Sequence, residues 1–266
     1  MSAPPQVASA AFIAAVTVDL DDTLFPQESW LRGAWAAVAG AAGTLGLDET
    51  AVHERLLAVA AQGSDGGRII DRALVALGVA DHELPALTPG LVAAFKAHAP
   101  HRLECYPCSA TALAELRALV PLACITDGDP HVQRAKLRAL GLVDSFDAVV
   151  FSDELGREHR KPDPAPFLRA AALLGVDPAA MVHVGDRPAK DVAGAHAVGM
   201  RAIRVRSGEY AGVADGAAGG AAPWRAFDDA AGALRWLAGV IAAQHAPSSG
   251  RDSLGRAVGY TSHLAH

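Results

Sequence analysis

Short apolar runs alternate with amphipathic stretches along most of this chain. Five of the apolar runs predict buried strands, because each is continuous and ends at a polar or glycine-containing turn. They cover residues 11–18, 121–125, 147–151, 181–184 and 201–205. Patterns with helical spacing cover residues 109–119, 131–140, 164–174 and 190–198. Crossovers long enough to hold a helix join parallel strands, so the pattern predicts βα units around a parallel sheet.

One interval breaks this alternation. Residues 26–102 contain no convincing strand, but they contain four helix-like segments separated by glycine and proline breaks. These segments cover residues 28–45, 49–61, 68–77 and 89–99. We therefore predict an α/β fold, with a Rossmann-like doubly wound parallel sheet core and an inserted all-helical cap. The core domain would comprise residues 8–25 and 103–244, and the helical cap domain residues 26–102.

The pattern weakens after the last predicted strand. Residues 212–222 are rich in glycine and alanine and predict a loop, whereas residues 228–243 predict a final amphipathic helix. Residues 245–266 lack apolar periodicity, which is typical of a disordered tail.

Composition narrows the class of protein. Of the 266 residues, 51% are hydrophobic and 20% are charged, as in a globular protein with a full-sized core. The chain lacks both a run of 18 apolar residues and the pattern of a signal peptide. Its formal net charge of −6 argues against a nucleic-acid partner. We expect a cytoplasmic protein without membrane contact, either a monomer or a homodimer.

The three cysteines fit a reducing compartment better than a disulfide framework. Cys105 and Cys108 form a C-x-x-C, a spacing found in redox pairs and in halves of zinc sites. Neither a second Cys/His pair nor a preceding strand accompanies it, so we interpret these residues as ordinary thiols at the start of a helix.

Carboxylates gather where the first predicted strand ends. Asp19, Asp21 and Asp22 lie within four consecutive positions, where a parallel sheet presents its ligand-binding edge. Repulsion among ionised carboxylates opposes their ionisation unless a cation offsets it. A divalent metal with oxygen ligands explains this cluster, although an acidic turn can also be a helix cap or a solvated loop.

Three other predicted strands end in groups that complement this cluster. They are Thr126, Asp127 and Gly128 after the second strand, Lys161 after the third, and Asp186 and Asp191 after the fourth. Carboxylates from two strand ends suit Mg²⁺, which shares its shell with water and phosphate. A hydroxyl, backbone N–H groups and an ammonium can hold phosphoryl oxygens. The combination predicts a site for a small phosphorylated substrate.

In this order, the residues resemble the four motifs of the haloacid dehalogenase-like hydrolase superfamily. The motifs are D-x-D-x-T (Asp19, Asp21, Thr23), T-D-G (Thr126 to Gly128), K-P-D-P (Lys161 to Pro164) and G-D-x-x-x-x-D (Gly185, Asp186, Asp191). They cover the chain from about residue 11 to residue 205. The helical insertion after the first motif is similar to that family's helical cap.

This resemblance implies a catalytic role for each motif. Asp19 would be the nucleophile that forms an aspartyl-phosphate. Asp21 would protonate the leaving alcohol and then activate water. Thr126 and Lys161, with the backbone of residues 127–128, would bind the phosphoryl oxygens and stabilise the transition state.

The resemblance also implies a magnesium cofactor. The ion would be held by the Asp19 carboxylate, the Asp21 backbone carbonyl and Asp186. Asp191 would support this shell directly or through water. With these roles the chain is expected to be a Mg²⁺-dependent phosphatase.

Other activities use the same core motifs. Haloacid dehalogenases need the nucleophilic aspartate but no acid two residues later, so Asp21 favours phosphate chemistry. Phosphomutases keep both aspartates, and transfer to a second sugar hydroxyl therefore stays an alternative. A receiver-like phosphorylation switch also clusters Asp, Thr and Lys on a parallel sheet. The helical insertion and the pair Asp186 and Asp191 argue against the switch.

Substrate choice is expected to depend on the cap and on the loop after the first motif. The candidates there are Phe25, Glu28, Trp30, Arg32 and Arg68. Sugar phosphates, phosphoglycolate and nucleoside monophosphates are all compatible with such a site. His183 lies inside an apolar run and is interpreted as a packed histidine.

Overall fold

The apolar runs form the strands of a single parallel sheet. The structure, a computed structural model, describes residues 12–63, 66–215 and 222–246. Its strands are β1 (Ala15–Val18), β2 (Leu122–Thr126), β3 (Ala148–Phe151), β4 (Met181–Gly185), β5 (Arg201–Val205) and β6 (Arg225–Phe227). They pair in parallel in the order β3-β2-β1-β4-β5-β6. The predicted parallel sheet is confirmed.

Helices connect the strands and cover both faces of the sheet. They are α1 (Gln27–Thr44), α2 (Glu49–Ala60), α3 (Ile69–Ala76), α4 (Leu84–Ala97), α5 (Ser109–Arg117), α6 (Pro130–Ala139), α7 (Pro164–Leu174), α8 (Ala193–Ala197) and α9 (Ala230–His245). On one face, α5, α6 and α9 form an apolar cluster that includes Val16 and Val18. On the other face, α7 and α8 pack with Ala15. Alternate β1 side chains thus point to opposite clusters, as expected for a doubly wound sheet.

Strand β1 lies at the centre of the sheet, between β2 and β4. After β1 the chain adds β2 and β3 on one side, and it then crosses to place β4, β5 and β6 on the other. At such a topological switch point the loops on the two sides of the central strand diverge. A crevice therefore opens beyond the carboxyl end of β1, and the predicted catalytic loops all lie there.

The helices of the predicted cap, α1 to α4, follow one another between β1 and β2 and share an apolar cluster of their own. Trp35, Val38, Leu56, Leu74 and Leu91 are among its buried members. In the described residues between 26 and 102 the structure contains no strand, as predicted. The helices hold together because each turns a strip of apolar residues toward the shared cluster.

Helix α4 begins five residues earlier than predicted. The proline at position 89 suggested a helix start, but the helix begins at Leu84 and Pro89 lies inside it. A proline inside a helix removes one backbone hydrogen bond. Leu84 and Leu91, two turns apart on one side of the helix, are both buried in the cap cluster. Their packing supports the additional turn.

Other differences lie in the last third of the chain. Strand β6 was missed because it is short, lies at the sheet edge and has no buried residue. At the other end of the chain, β1 begins at Ala15, although the apolar run predicted a strand from residue 11; Phe12, in that run, is exposed and lies outside the strand. Helix α9 starts and ends two residues later than predicted. Most of the predicted disordered tail, and residues 8–11 and 216–221, lie outside the described residues. No helix in the described ranges is long and apolar enough to cross a membrane.

Candidate active site

The loop after β1 is held by packing and by hydrogen bonds to neighbouring loops. Its Leu20 and Leu24 are buried in the core, so the polar residues between them are fixed at the sheet edge. The Asp19 N–H donates to the carbonyl of Val184, at 2.9 Å. The Thr23 hydroxyl lies 3.2 Å from Asp19 Oδ2 and 3.4 Å from Asp186 Oδ1. Thr23, which had no assigned role, thus links the first and last motifs.

The loop after β4 brings the other acidic pair to the same place. Asp186 and Asp191 are each 1% exposed. Between them the chain makes a wide π-helical turn, Pro188–Val192, instead of entering an α-helix directly. Such turns often occur at functional sites. Here the turn directs Asp191 back toward the sheet, where its Oδ2 accepts from the Arg187 N–H at 3.0 Å.

Gly185 is required by the close approach of Asp191. A Cβ at position 185 would overlap the Asp191 side chain. We expect Gly185→Ala to lower the free energy of unfolding by about 1–3 kcal/mol, as in other overpacked cores. Urea unfolding would measure this change. The control Gly90→Ala adds a methyl to an open site on α4 and is expected to be neutral or stabilising; equal effects of the two substitutions would contradict the overlap.

Lys161 lies between two of the carboxylates. Its Nζ contacts Asp19 Oδ1 and lies 2.6 Å from Asp191 Oδ1. The side chain is almost completely buried. Its backbone N–H donates to Asp127 Oδ1 at 3.1 Å, which ties the loop after β3 to the loop after β2. Lys161 is therefore positioned from several sides, as a residue that balances a buried acidic cluster must be.

His183 extends this network into the sheet. It is fully buried in β4, as predicted for a packed histidine, and its ring contacts Phe167 edge-on at 5.0 Å between centroids. It also has a polar role that the sequence pattern did not indicate. Nε2 lies 3.2 Å from Asp191 Oδ1, and Nδ1 lies 2.8 Å from the Thr17 hydroxyl. His183 therefore supports the Asp191 carboxylate from behind.

Burial and charge shift the acid–base equilibria of these groups in different directions. Burial raises the pKa of Asp19 to about 7, although Lys161 opposes the rise. Burial, and then Asp191, raise the pKa of Asp186. For Asp191 burial acts in the same direction, but Lys161 and His183 outweigh it and hold the pKa below its usual range. Burial opposes the charge of Lys161, yet Asp19 and Asp191 raise its pKa.

The three buried carboxylates fit a divalent cation. One oxygen from each of Asp19, Asp186 and Asp191 lies within 4.8 Å of the others. Hard oxygen donors at a sheet edge suit Mg²⁺, and a cation would offset the repulsion that raises the pKa of Asp186. Both Asp191 oxygens already accept hydrogen bonds from the protein. Both Asp19 oxygens are bonded in the same way, to Lys161 and Thr23, so a cation would share these oxygens with the protein donors.

Asp21 occupies a different environment from Asp19. Its side chain is 17% exposed and accepts from two residues of α6 to which the sequence analysis gave no role. Gln133 Nε2 donates to Asp21 Oδ2 at 2.8 Å, and Lys136 Nζ donates to Oδ1 at 2.7 Å. The same Gln133 amide also donates to the Thr126 hydroxyl oxygen. The two aspartates of the first motif thus have separate partners.

A cavity of about 900 Å³ lies between the sheet edge and the cap. Most of the predicted site residues line it, namely Asp19, Asp21, Asp127, Gly128, Lys161 and Asp186. Thr126 and Asp191, fully or almost fully buried, lie behind its wall. The Asp127 carboxylate faces hydrogen-bond donors of the protein, since it accepts from the Lys161 backbone N–H and lies 3.4 Å from the Lys190 ammonium. Only its backbone is suited to bind an anion.

The cap contributes an aromatic and cationic wall to the cavity. Of the candidate specificity residues, Trp30 and Arg68 line it. Phe25 is buried in the core cluster beneath the first loop. Glu28 and Arg32 instead pair with each other on an exposed helix surface, at 3.0 Å. Cys108 is exposed at the start of α5, in agreement with an ordinary thiol.

The chain is similar to known phosphatases and to solved dehalogenase structures. It is 38% identical to a glyceraldehyde 3-phosphate phosphatase of Methanopyrus kandleri over 74% of this chain and 86% of the relative. It is 34% identical to a phosphoglycolate phosphatase of Rhodospirillum rubrum over 91% and 95% of the two chains. A 2-haloacid dehalogenase structure from Pseudomonas syringae pv. Tomato DC3000 superposes with a TM-score of 0.59 at 30% identity, covering 88% of this chain and all of that one.

A family model gives the same assignment over most of the chain. Residues 13–199 match the model of the haloacid dehalogenase-like hydrolases. This range includes all four motifs and the helical insertion between the first two. The predicted resemblance is therefore confirmed, and the chain belongs to the haloacid dehalogenase-like hydrolase family.

Proposed function

We propose that this protein is a Mg²⁺-dependent phosphatase that hydrolyses a small phosphorylated metabolite through an aspartyl-phosphate on Asp19. The observation that carries the proposal is the separation of the two motif-one aspartates. Both line the cavity, but Asp19 is buried against Lys161, whereas Asp21 is held by α6. One carboxylate is thus placed to attack and the other to transfer protons.

The first half-reaction would transfer the phosphoryl group to Asp19. An Asp19 oxygen forms a bond to phosphorus, and the bond between phosphorus and the ester oxygen breaks. Asp21, protonated at this stage, gives its proton to the departing alkoxide. Lys161, the Thr126 hydroxyl and the backbone of residues 127–128 would neutralise charge on the phosphoryl oxygens.

The second half-reaction would release phosphate. Asp21, now ionised, removes a proton from water as the water oxygen attacks phosphorus. The bond between phosphorus and the Asp19 oxygen breaks, which restores the Asp19 carboxylate and releases inorganic phosphate as an anion. The proton stays on Asp21, which is then ready for the next substrate.

The magnesium site would consist of the Asp19 carboxylate, the Asp21 backbone carbonyl and Asp186, with Asp191 behind them. When bound, Mg²⁺ supplies positive charge that offsets the repulsion between the carboxylates and a phosphate dianion. Thr23 orients Asp19 and Asp186 through its hydroxyl, and Asp191 acts through Lys161, which contacts Asp19.

The geometry favours phosphate chemistry over the alternatives. A dehalogenase has no use for a proton donor at the position of Asp21, which here has two dedicated partners. The cavity beneath the cap favours turnover of a small molecule over a receiver-like switch. Phosphotransfer to a second substrate stays an alternative, since it uses the same two aspartates. Phosphoglycolate and glyceraldehyde 3-phosphate, named for relatives, are the first substrates to test.

Phosphate release from 4-nitrophenyl phosphate is expected to depend on Mg²⁺. Removal of divalent ions with a chelator should lower the rate by at least about 10²-fold, and added Mg²⁺ should restore it. Calcium, which binds oxygen ligands with longer distances and looser geometry, is the control and should restore much less. Full activity in the chelated protein would contradict the proposed cofactor.

The cytoplasmic location and the monomeric or homodimeric state stay predictions.

A further inference from the structure

The side chain of Asp21 is held on both of its oxygens by one face of α6. Gln133 and Lys136 are three residues apart, a spacing that places both on one side of a helix. Each donates to a different carboxylate oxygen, at 2.8 Å and 2.7 Å. Two donors on two oxygens fix the plane of a carboxyl group as well as its position.

We infer that Gln133 and Lys136 are positioning residues that orient the Asp21 carboxyl group for proton transfer to the leaving group. This inference rests on the proposed function, because it takes Asp21 to be the general acid and base. Neither residue needs to touch the substrate for this role. Both act through the orientation of Asp21.

The burial of the two residues supports a dedicated role. Gln133 is 1% exposed and Lys136 is 2% exposed. A buried lysine is rare, because removing an ammonium from water is costly unless an anion compensates it. Asp21 is the carboxylate that lies in hydrogen-bonding contact with Lys136. The ionised Asp21 carboxylate therefore stabilises the buried Lys136 ammonium, and Lys136 in turn restrains the position of Asp21.

Aromatic rings restrict Lys136 on its other side. Its Nζ lies 4.6 Å from the centre of the Trp30 ring and 5.9 Å from that of Phe25. Both distances are within the range of cation–π attraction. The ammonium is thus held between Asp21 and an aromatic wall. Since Trp30 belongs to α1, the cap helps to fix the cation that orients Asp21.

Gln133 joins Asp21 to the phosphate-binding side of the site. Its two amide hydrogens are used for Asp21 Oδ2 and for the Thr126 hydroxyl oxygen. The Thr126 oxygen accepts this bond, so Gln133 fixes the position of a hydroxyl that lies fully buried behind the cavity wall. One side chain therefore links Asp21, the proposed proton donor, to the second motif.

The test compares two aryl phosphates of similar shape. Phenyl phosphate releases a weakly acidic phenol, with a pKa of about 10 as for tyrosine. The 4-nitrophenolate leaving group is much less basic and has less need of a proton. For Lys136→Met we expect kcat/KM, which reports on leaving-group departure, to fall about 10²-fold with phenyl phosphate and less than about 10-fold with 4-nitrophenyl phosphate. Gln133→Met should show the same preference with a smaller loss.

Controls distinguish positioning from other roles. Arg138→Met removes an exposed cation from the same helix and should change neither rate. Lys136→Arg should recover part of the loss. In an Asp21→Asn background, Lys136→Met should have little further effect, because the group that it orients is already inactive. If Lys136→Met fails to fold, as judged by thermal unfolding, Gln133→Met carries the same comparison.

The outcomes separate this inference from the proposed function. Equal losses with both substrates in Lys136→Met, or a further large loss in the Asp21→Asn background, would overturn the positioning role. The proposed function survives that result if Asp21→Asn itself discriminates between the two leaving groups. If Asp21→Asn has no effect on either substrate, the acid–base assignment of Asp21 is wrong and the inference is overturned with it.

Discussion

Asp19→Asn is expected to reduce phosphate release from 4-nitrophenyl phosphate by about 10⁴-fold or more, a loss typical of removing a catalytic nucleophile. Asparagine keeps the size of the side chain, and its oxygen can still accept from Thr23. However, a neutral amide is a very weak nucleophile toward phosphorus, and it is a poor ligand for Mg²⁺. The variant should therefore fold and retain the cavity but form no phosphoenzyme.

Acid quenching during turnover provides the second measurement for Asp19→Asn. The unaltered protein is expected to yield an acid-stable, base-labile phosphoryl group, and the variant none. Asp22→Asn is the matched control, because it removes the same charge three positions away. Asp22 accepts from the backbone N–H groups of Gln27 and Glu209, an interaction that an asparagine oxygen partly preserves. Near-normal turnover in Asp19→Asn would show that the nucleophile is elsewhere.

Lys161→Met is expected to have the next largest effect, with kcat lowered by about 10²- to 10³-fold. Lys161 is the cation between Asp19 and Asp191. Without it, the charge developing on the transferred phosphoryl group loses a buried donor. The carboxylates also lose their protein counter-charge, so the site should bind Mg²⁺ more tightly while it turns over more slowly.

Tighter Mg²⁺ binding together with slower turnover in Lys161→Met is the result expected if Lys161 lies between the metal-binding carboxylates and the phosphoryl group. Activity titrated with Mg²⁺ measures both quantities in one experiment. Lys190→Met is the control: this lysine lies at the same edge of the sheet, near Asp127, but is 28% exposed. Solvent screens such a pair, and its loss should cost less than about 10-fold. A weaker requirement for Lys161 than for Lys190 would contradict the assigned phosphate contact.

The sequence pattern predicted those features that depend on short-range periodicity. The five longer strands and the acidic loops at their ends could be located because buried parallel strands are continuous apolar runs. Strand β6 could not, because a half-buried edge strand of three residues has no such run. The predicted start of α4 at residue 89 was wrong, because the packing of Leu84 and Leu91 in the cap cluster outweighs the local effect of Pro89.

The motif residues could be located from the sequence, but the residues that contact them could not. Gln133 and Lys136 lie on a helix that also carries two arginines, and nothing in their spacing distinguishes them from a solvated surface. Their contact with Asp21 arises only when α6 packs beside the first loop. His183 shows the same limitation, because burial was predictable but its bond to Asp191 depends on the π-helical turn. Tertiary contacts of this kind have no local pattern.

The central position of β1 has a consequence for the biosynthesis of this protein. In the sheet, Val16 pairs with Leu122 on one side and with Val182 on the other. During translation β1 emerges first, then the whole helical insertion, and β4 with Asp186 and Asp191 only much later. Both edges of β1 must stay unpaired, or protected by other factors, for most of this time. The nascent chain is thus most exposed to aggregation before its active site exists.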